Sequence, residues 1–411
     1  MPAASQKVTG NAIVGQSGGP TVVINQSLAG IVSAARKHPE IKTVLGAVHA
    51  VKGILEENLI DLSAESESTV EAVAKSPCAG LGSVRKKPTR DECVKMFEVM
   101  KAHDVRYFFY IGGNDSAESA NIVHEIARQE KHDLRVFHVP KTIDNDLLVT
   151  DHCPGYGSAA RFVAMALVGD DLDNRSLPGI KIDVVMGRHA GFLTAASVLG
   201  KTGDDDGPHL VYVPERPFSK DAFLADVDRV YKKLGRCVVA VSEGIHDASG
   251  RAIGETGEKD QFGNVQLSGT GALGDLLSSW IRKGLGEKLR VRSDTLGYLQ
   301  RSFPGVVSEV DAREARAVGE AAVRAAVSGE DESGSIAIER TGTGMKEYAS
   351  RTFVTALSSV ARATKSLDAS YLEAGGCGIT RAFVDYAAPL AGPLPAMGRL
   401  AGKRIPKKLF R

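Results

Sequence analysis

Cysteine is scarce: Cys78, Cys93, Cys153, Cys237 and Cys377 are an odd number with no C-x-x-C spacing. That fits neither a disulfide framework nor a zinc site and makes a reducing cytoplasm the expected compartment. Neither charge sign prevails, with 51 Lys and Arg against 50 Asp and Glu. A strongly basic nucleic-acid binder and an acidic disordered chain are both disfavoured, while phosphate handling stays open if cations gather locally. No apolar run approaches about 18 residues, and Met1-Pro2-Ala3-Ala4 starts no basic-then-apolar leader, so neither a membrane span nor secretion is expected. The ten histidines form no H-E-x-x-H, which leaves zinc hydrolysis without support.

Glycine, by contrast, is abundant. There are 44 in 411 residues, where ordinary usage gives about 29. The length allows two domains, or at most three. Short Val-, Ile- and Phe-rich runs alternate with segments of helical period, which predicts parallel strands covered by helices. Strands are expected at 11–15, 43–48, 107–112, 135–139, 182–186, 209–213, 237–242 and 335–338. Helices are expected at 22–36, 116–128, 190–199, 219–234, 272–289 and 311–328. This is a doubly wound α/β pattern. The polar stretch 247–269 reads as a surface excursion, 328–334 as a loop, and the tail 402–411, half Lys or Arg, as a solvated run.

The informative glycines stand where a predicted strand ends and a helix begins, the place where open α/β sheets bind ligands. Gly15-Gln16-Ser17-Gly18-Gly19-Pro20-Thr21 could cradle a phosphate on backbone N–H groups, although it is not a Walker A sequence. Tyr110-Ile111-Gly112-Gly113-Asn114-Asp115-Ser116 offers oxygens to a hard cation, or else Asn114 or Asp115 caps the next helix. Pro140-Lys141-Thr142-Ile143-Asp144-Asn145-Asp146 crowds two carboxylates, a hydroxyl and an ammonium onto one loop. That set can orient a hydroxyl, take its proton and neutralise a moving phosphoryl group. An Asx-rich turn would account for Asp144 and Asn145 but not for Lys141.

Met186-Gly187-Arg188 and Ser242-Glu243-Gly244 follow two further strands, and Arg292 with Leu296–Ser302 adds two arginines and Tyr298. Arginine suits phosphate and tyrosine a sugar oxygen. Two glycine patterns mimic dinucleotide sites, at Gly269–Gly274 and Gly155–Ala160. Neither follows a buried strand, so both are read as helix starts. Asp204-Asp205-Asp206 reads as a solvated loop.

Taken in order, G-Q-S-G-G-P, G-S-V-R (Gly82–Arg85), G-G-N-D-S, P-K-T-I-D-N-D, M-G-R and L-G-Y-L-Q-R-S resemble the 6-phosphofructokinase family, over about four-fifths of the chain. The resemblance implies two Rossmann-like α/β domains with the active site in the cleft between them. Residues 1–150, completed by about 302–350, would bind the phosphoryl donor; 151–301, completed by about 351–411, would bind the sugar phosphate. It further implies Asp144 as general base toward the C1 hydroxyl of fructose 6-phosphate, with Asp146 beside it. Thr142, Met186, Gly187, Arg188, Glu243, Tyr298 and Arg301 would contact the sugar phosphate, and Arg188 would also lie near the transferred group. Gly18 and Arg85 would contact donor phosphates. Arg292 would reach a neighbouring subunit's site, giving a homodimer or homotetramer with shared sites.

Two positions speak to the donor. ATP-using relatives usually have glycine where Asp115 and Lys141 stand. Asp115 puts bulk and negative charge where the α-phosphate of ATP would lie, and Lys141 supplies a cation for small, highly charged pyrophosphate. The pair is similar to the pyrophosphate-dependent branch. Lys141, Asp144, Arg188 and Asp115 are therefore the expected catalytic set, with Mg²⁺ as cofactor. Many relatives place Asp at the metal where this chain has Asn114, a weaker ligand that could act through water. The family's nucleotide-effector arginines are Ala29 and Ser33 here, and a second interfacial arginine falls near Gly179, with Lys181 the nearest substitute. An ATP-dependent 6-phosphofructokinase is the alternative reading, and a non-catalytic sugar-phosphate-binding regulator a more distant one.

Overall fold

The structure is a computed structural model that describes residues 8–254, 271–342, 345–361, 363–400, 402–403, 405–406 and 408–409. Its strands are β1 (Gly10–Gln16), β2 (Ile41–Ala47), β3 (Leu59–Asp61), β4 (Val105–Gly112), β5 (Arg135–Pro140), β6 (Ile180–Val185), β7 (Leu210–Tyr212), β8 (Cys237–Ser242), β9 (Val291–Thr295), β10 (Ser333–Arg340) and β11 (Ser350–Thr355). They form two sheets, ordered β11-β10-β5-β4-β1-β2-β3 and β7-β8-β6-β9. All pairings are parallel except β2–β3 and β10–β11, at the two edges of the larger sheet.

Both faces of each sheet are covered, which is why the strands are apolar almost without interruption. Along β4, Tyr107 and Phe109 enter a core under the helices Ile24–Ala35 and Glu309–Ser328. Phe108 and Tyr110 enter the opposite core, under Arg90–Ala102 and Asn114–Gln129. The smaller sheet packs against Tyr156–Ser176 and Arg381–Ala391 on one face and Lys220–Leu234 and Ala272–Leu285 on the other. The helices Ile24–Ala35 and Glu309–Ser328 cross at two glycines. A Cβ on Gly30 would lie 2.3 Å from the Arg316 carbonyl, and one on Gly319 2.2 Å from the Ser27 carbonyl.

All eight expected strands and six expected helices are present, with shifted ends. The 190–199 segment splits into Phe192–Ala196 and a 3-10 turn, Ser197–Gly200. The 272–289 helix stops at Leu285, before Gly286 with φ 153°. Edge strands β3, β9 and β11 went unread because they are short or carry charge where a buried strand would be apolar. The helix Arg90–Ala102 also went unread, although Thr89 and Glu92 form a capping box at its start. Within 204–206 the expectation is corrected at Asp206, which is buried. It accepts the N–H groups of Thr202 and Gly203 and pairs with Arg175 and Arg399; burial pushes its carboxyl up, but the bonds from Arg399 and Thr202 outweigh that and hold it well below the usual range. The polar stretch from 255 onward lies outside the described residues. The cysteines are free, and among the described residues no helix is long and apolar enough to cross a membrane.

Candidate active site

In the larger sheet the winding direction reverses between β1 and β4, so the loops leaving their carboxyl ends part and open a crevice. Gly18 and Gly19 follow β1, Asn114 and Asp115 follow β4, and Lys141 and Thr142 follow β5. Together with Arg85, Asp146 and His189 they line one cavity of about 690 Å³. Strands β6, β8 and β9 of the smaller sheet lead into Met186-Gly187-Arg188, Glu243 and Tyr298–Arg301; His189 lines the same cavity, and the charges of Glu243 and Arg301 act on Asp144.

Lys141 is 4 % exposed, with its backbone N–H on the Gly112 carbonyl at 2.9 Å. Burial pushes its ammonium down to about 7; Arg301 lowers it further, while Asp144 and Asp146 act in the opposite sense. Asp144 is pushed up to about 7 by burial and by the charges of Asp146 and Glu243, against Arg301 and Lys141. Asp146 is also raised, burial being the main cause. The Thr142 hydroxyl donates to Asp146 Oδ1 at 3.1 Å and accepts the Asp144 N–H at 3.1 Å. An Oδ1 on each of Asn114 and Asp144 is buried without a partner.

The arginines converge across the cleft. A Cβ on Gly19 would lie 2.4 Å from an Arg301 guanidinium nitrogen and 3.8 Å from one of Arg85, while one on Gly18 would lie 3.2 Å from Lys141 Nζ. The Arg301 guanidinium also stacks 4.6 Å from the Tyr298 ring centroid. Gly18 differs from the phosphate-cradle expectation, because its N–H is already spent on the Val84 carbonyl at 3.2 Å. Its φ of 75° and lack of a side chain are what make room for Lys141.

Neither Asn114 nor Asp115 caps its helix. Gly113 is the N-cap, without a side-chain cap bond, so the capping alternative fails for this loop. The Asp115 side chain is 79 % exposed and 4.0 Å from Lys87, which bonds Glu118 at 2.7 Å. Both glycine mimics that resembled dinucleotide loops begin helices. Gly155 precedes Tyr156–Ser176, whose N-terminus is occupied by the Asp311 carboxylate through Gly155 N–H at 2.7 Å and Ser158 N–H at 2.9 Å. Gly271 precedes Ala272–Leu285, while Gly269 and Thr270 lie outside the described residues.

The sequence matches the family described as Phosphofructokinase over residues 11–326, more than three-quarters of its length. The chain belongs to the phosphofructokinase family. A curated family member from Rhodospirillum rubrum, pyrophosphate–fructose 6-phosphate 1-phosphotransferase, is 54% identical over 98% of this chain and 99% of its own. The Xanthomonas campestris protein of the same name is 40% identical over 93% and 91%. Among solved structures, a pyrophosphate-dependent phosphofructokinase from Marinobacter aquaeolei superposes with a TM-score of 0.84 at 34% identity, covering 97% of this chain and 98% of that one.

Within this family member the fold brings Gly18, Arg85, Asn114, Asp115, Lys141, Thr142, Asp144, Asp146, Glu243 and Arg301 to one cleft. Met186 donates its N–H to Gln300 Oε1 at 3.2 Å, tying the loop after β6 to the turn that carries Tyr298 and Arg301. Gly187, with φ 127°, turns the chain so that Arg188 follows, beside His189. Arg292 is exposed on β9 and does not join the cleft of its own chain. It pairs in register with Lys181, whose ammonium bonds Asp294 and lies 3.5 Å from Asp170.

Sequence reasoning missed Lys86, Lys87, His189 and Thr364, which line the same cavity. The run Arg85-Lys86-Lys87 and the contiguity of His189 with Arg188 were available signals. Thr364 had none, because it arrives through a bridge to Leu147 made far along the chain. His138 was missed too. Fully buried and pushed down to about 4, it bonds the Gly112 carbonyl and Ser335 at 2.8 Å each, fixing the turn before Asn114.

Proposed function

We propose that this phosphofructokinase transfers a phosphoryl group reversibly from pyrophosphate to the C1 hydroxyl of fructose 6-phosphate, giving fructose 1,6-bisphosphate and phosphate. The observation that carries the donor assignment is a buried lysine, Lys141, facing Gly18 beside Asp144 where ATP-using relatives keep glycine. A small donor brings no nucleoside to supply binding energy, so its charge must be met by fixed cations. Lys141 and Arg85 converge on the place where it would sit, with Arg301 close by on the side proposed for the sugar phosphate.

Asp144, once ionised, takes the proton of the C1 hydroxyl as that oxygen attacks the nearer phosphorus. The P–O–P bond breaks and its electron pair leaves with inorganic phosphate. Lys141 and Arg188 stabilise the charge on the moving phosphoryl group. Thr142, Met186, Gly187, Glu243, Tyr298 and Arg301 hold the sugar phosphate, and Arg85 the donor, for which Gly18 leaves room beside Lys141. The lobe built on the larger sheet takes the donor and the one on the smaller sheet takes the sugar. The unpartnered oxygens of Asn114 and Asp144 suit a hard cation. Mg²⁺ brought in with pyrophosphate would be held partly by Asn114, and when bound it neutralises phosphate charge. Asp115 narrows the room available to a nucleotide.

Arg292, exposed on edge strand β9, belongs to a partner subunit's sugar-phosphate site in a homodimer or homotetramer. Arg292→Ala should then raise KM for fructose 6-phosphate and leave KM for pyrophosphate unchanged. The enzyme acts in the cytoplasm, in keeping with its free cysteines.

The deciding experiment compares initial rates of the purified protein with pyrophosphate and with ATP. Turnover should require pyrophosphate, and Asp115→Gly with Lys141→Gly should shift preference toward ATP. Efficient turnover with ATP alone in the wild type would overturn the donor assignment.

A further inference from the structure

The segment carrying Lys141, Thr142, Asp144 and Asp146 runs from β5 to the helix Tyr156–Ser176 without regular structure of its own. Its shape therefore depends on hydrogen bonds to other parts of the chain. Asn145 stands between the two carboxylates, 0 % exposed, with a left-handed φ of 60°. Its Oδ1 accepts the Cys153 N–H at 2.9 Å, and its Nδ2 donates to the Tyr386 hydroxyl at 2.8 Å. That hydroxyl donates in turn to the Asp151 carbonyl at 2.9 Å. One oxygen from the C-terminal helix Arg381–Ala391 thus joins the middle of the loop to its far end.

The loop does not set where this oxygen lies. The Tyr386 ring packs among Tyr371, Phe192 and Phe383, at centroid distances of 5.5, 6.2 and 6.2 Å. The Arg340 guanidinium lies 4.8 Å from the ring centroid and donates to the Tyr386 carbonyl at 3.0 Å. The hydroxyl is a fixed anchor, and Asn145 is tied to it. The backbone torsions of Asn145 orient Asp144 on one side and Asp146 on the other, so a slack Asn145 would turn both carboxylates. Left-handed backbone is sparsely populated even for asparagine and is kept only where surrounding contacts demand it.

We infer that the Tyr386 hydroxyl is a positioning group for catalysis: through Asn145 it holds Asp144 and Asp146 in their working orientation without touching substrate. This rests on the phosphotransfer reading above.

The wild type is assayed first with pyrophosphate and fructose 6-phosphate; absence of turnover there would count against the reaction rather than against Tyr386. Tyr386→Phe keeps the packed ring and removes only the hydroxyl. Its kcat should fall about tenfold, with KM for both substrates within about twofold of wild type. Its thermal midpoint should stay within a few degrees. Tyr371→Phe, on the stacked neighbouring ring, should keep the wild-type kcat. The double variant Tyr386→Phe, Asn145→Ala should be no slower than Asn145→Ala alone, because both act on one link. Wild-type kcat in Tyr386→Phe would overturn the inference, as would a kcat loss matched by rises in both KM values and a large drop in midpoint. Multiplying losses in the double variant would also overturn it.

Discussion

The Lys141 ammonium lies against Gly18, so close that a methyl group there would sit 3.2 Å from Nζ. The two residues are 123 positions apart and come from the ends of different strands, and the ammonium takes the space that a side chain at Gly18 would need. Gly18→Ala should therefore raise KM for pyrophosphate, both by filling that gap and by straining a φ of 75°. Lys141→Met should lower turnover by roughly a thousandfold, the scale of a lost charge-stabilising group, while calorimetry still detects fructose 6-phosphate. An unchanged pyrophosphate KM in Gly18→Ala would place the donor elsewhere.

Asp144, the proposed general base, carries a stability cost. Its folded pKa is raised above the unfolded value, so its contribution to stability is lost as pH rises from about 4 through about 7. Above that range the ligand-free protein holds a buried carboxylate with too little compensation. Asp144→Asn should slow turnover by roughly 10²- to 10⁴-fold and raise the thermal midpoint at pH 8 by roughly 3–6 °C. The gap should close near pH 4. A lowered midpoint at pH 8 would contradict the burial argument.

Activity should depend sharply on pH. In the proposed mechanism Asp144 must be ionised, so activity should rise as pH passes its raised pKa. In the same mechanism Lys141 must be protonated, so activity should fall as pH passes its lowered one. With both near 7 in the free site, kcat/KM should follow a narrow bell centred near neutrality. Bound pyrophosphate places negative charge beside Lys141 and raises its pKa, so the alkaline limb of kcat should lie higher than that of kcat/KM. Lys141→Arg should remove the alkaline limb from kcat/KM. A flat kcat/KM between pH 6 and 9 would exclude this pair as the titrating groups.

The crossing of the helices Ile24–Ala35 and Glu309–Ser328 should tolerate no methyl group. Gly319→Ala should cost roughly 1–3 kcal/mol, because the added carbon meets backbone rather than a movable side chain. Gly169→Ala, exposed in the helix Tyr156–Ser176 with open space around it, should instead gain roughly 0.5–1 kcal/mol. Urea denaturation of both variants gives the comparison. Equal effects would mean that helix propensity, not the close approach, governs Gly319.

The amino-acid order by itself determined the alternation of apolar runs with helical segments, and so the parallel α/β sheets. It also determined the glycines at strand ends and the crowding of Lys141, Thr142, Asp144 and Asp146 on one loop, because those signals are local. Edge strands β3, β9 and β11 were illegible, since a strand buried on few sides lacks a continuous apolar run. Only the tertiary structure decided that Arg85 and Arg301 meet over Gly19, that Thr364 lines the cavity beside Lys141, and that Tyr386 bonds Asn145 from 241 residues away. Those relationships arise when the chain returns to a sheet it has already left, and no spacing along the sequence encodes which distant side chain will be waiting there. The physical reason is burial: Lys141 and Asp144 are shifted because the fold removes water from both, and neither residue type carries that shift on its own.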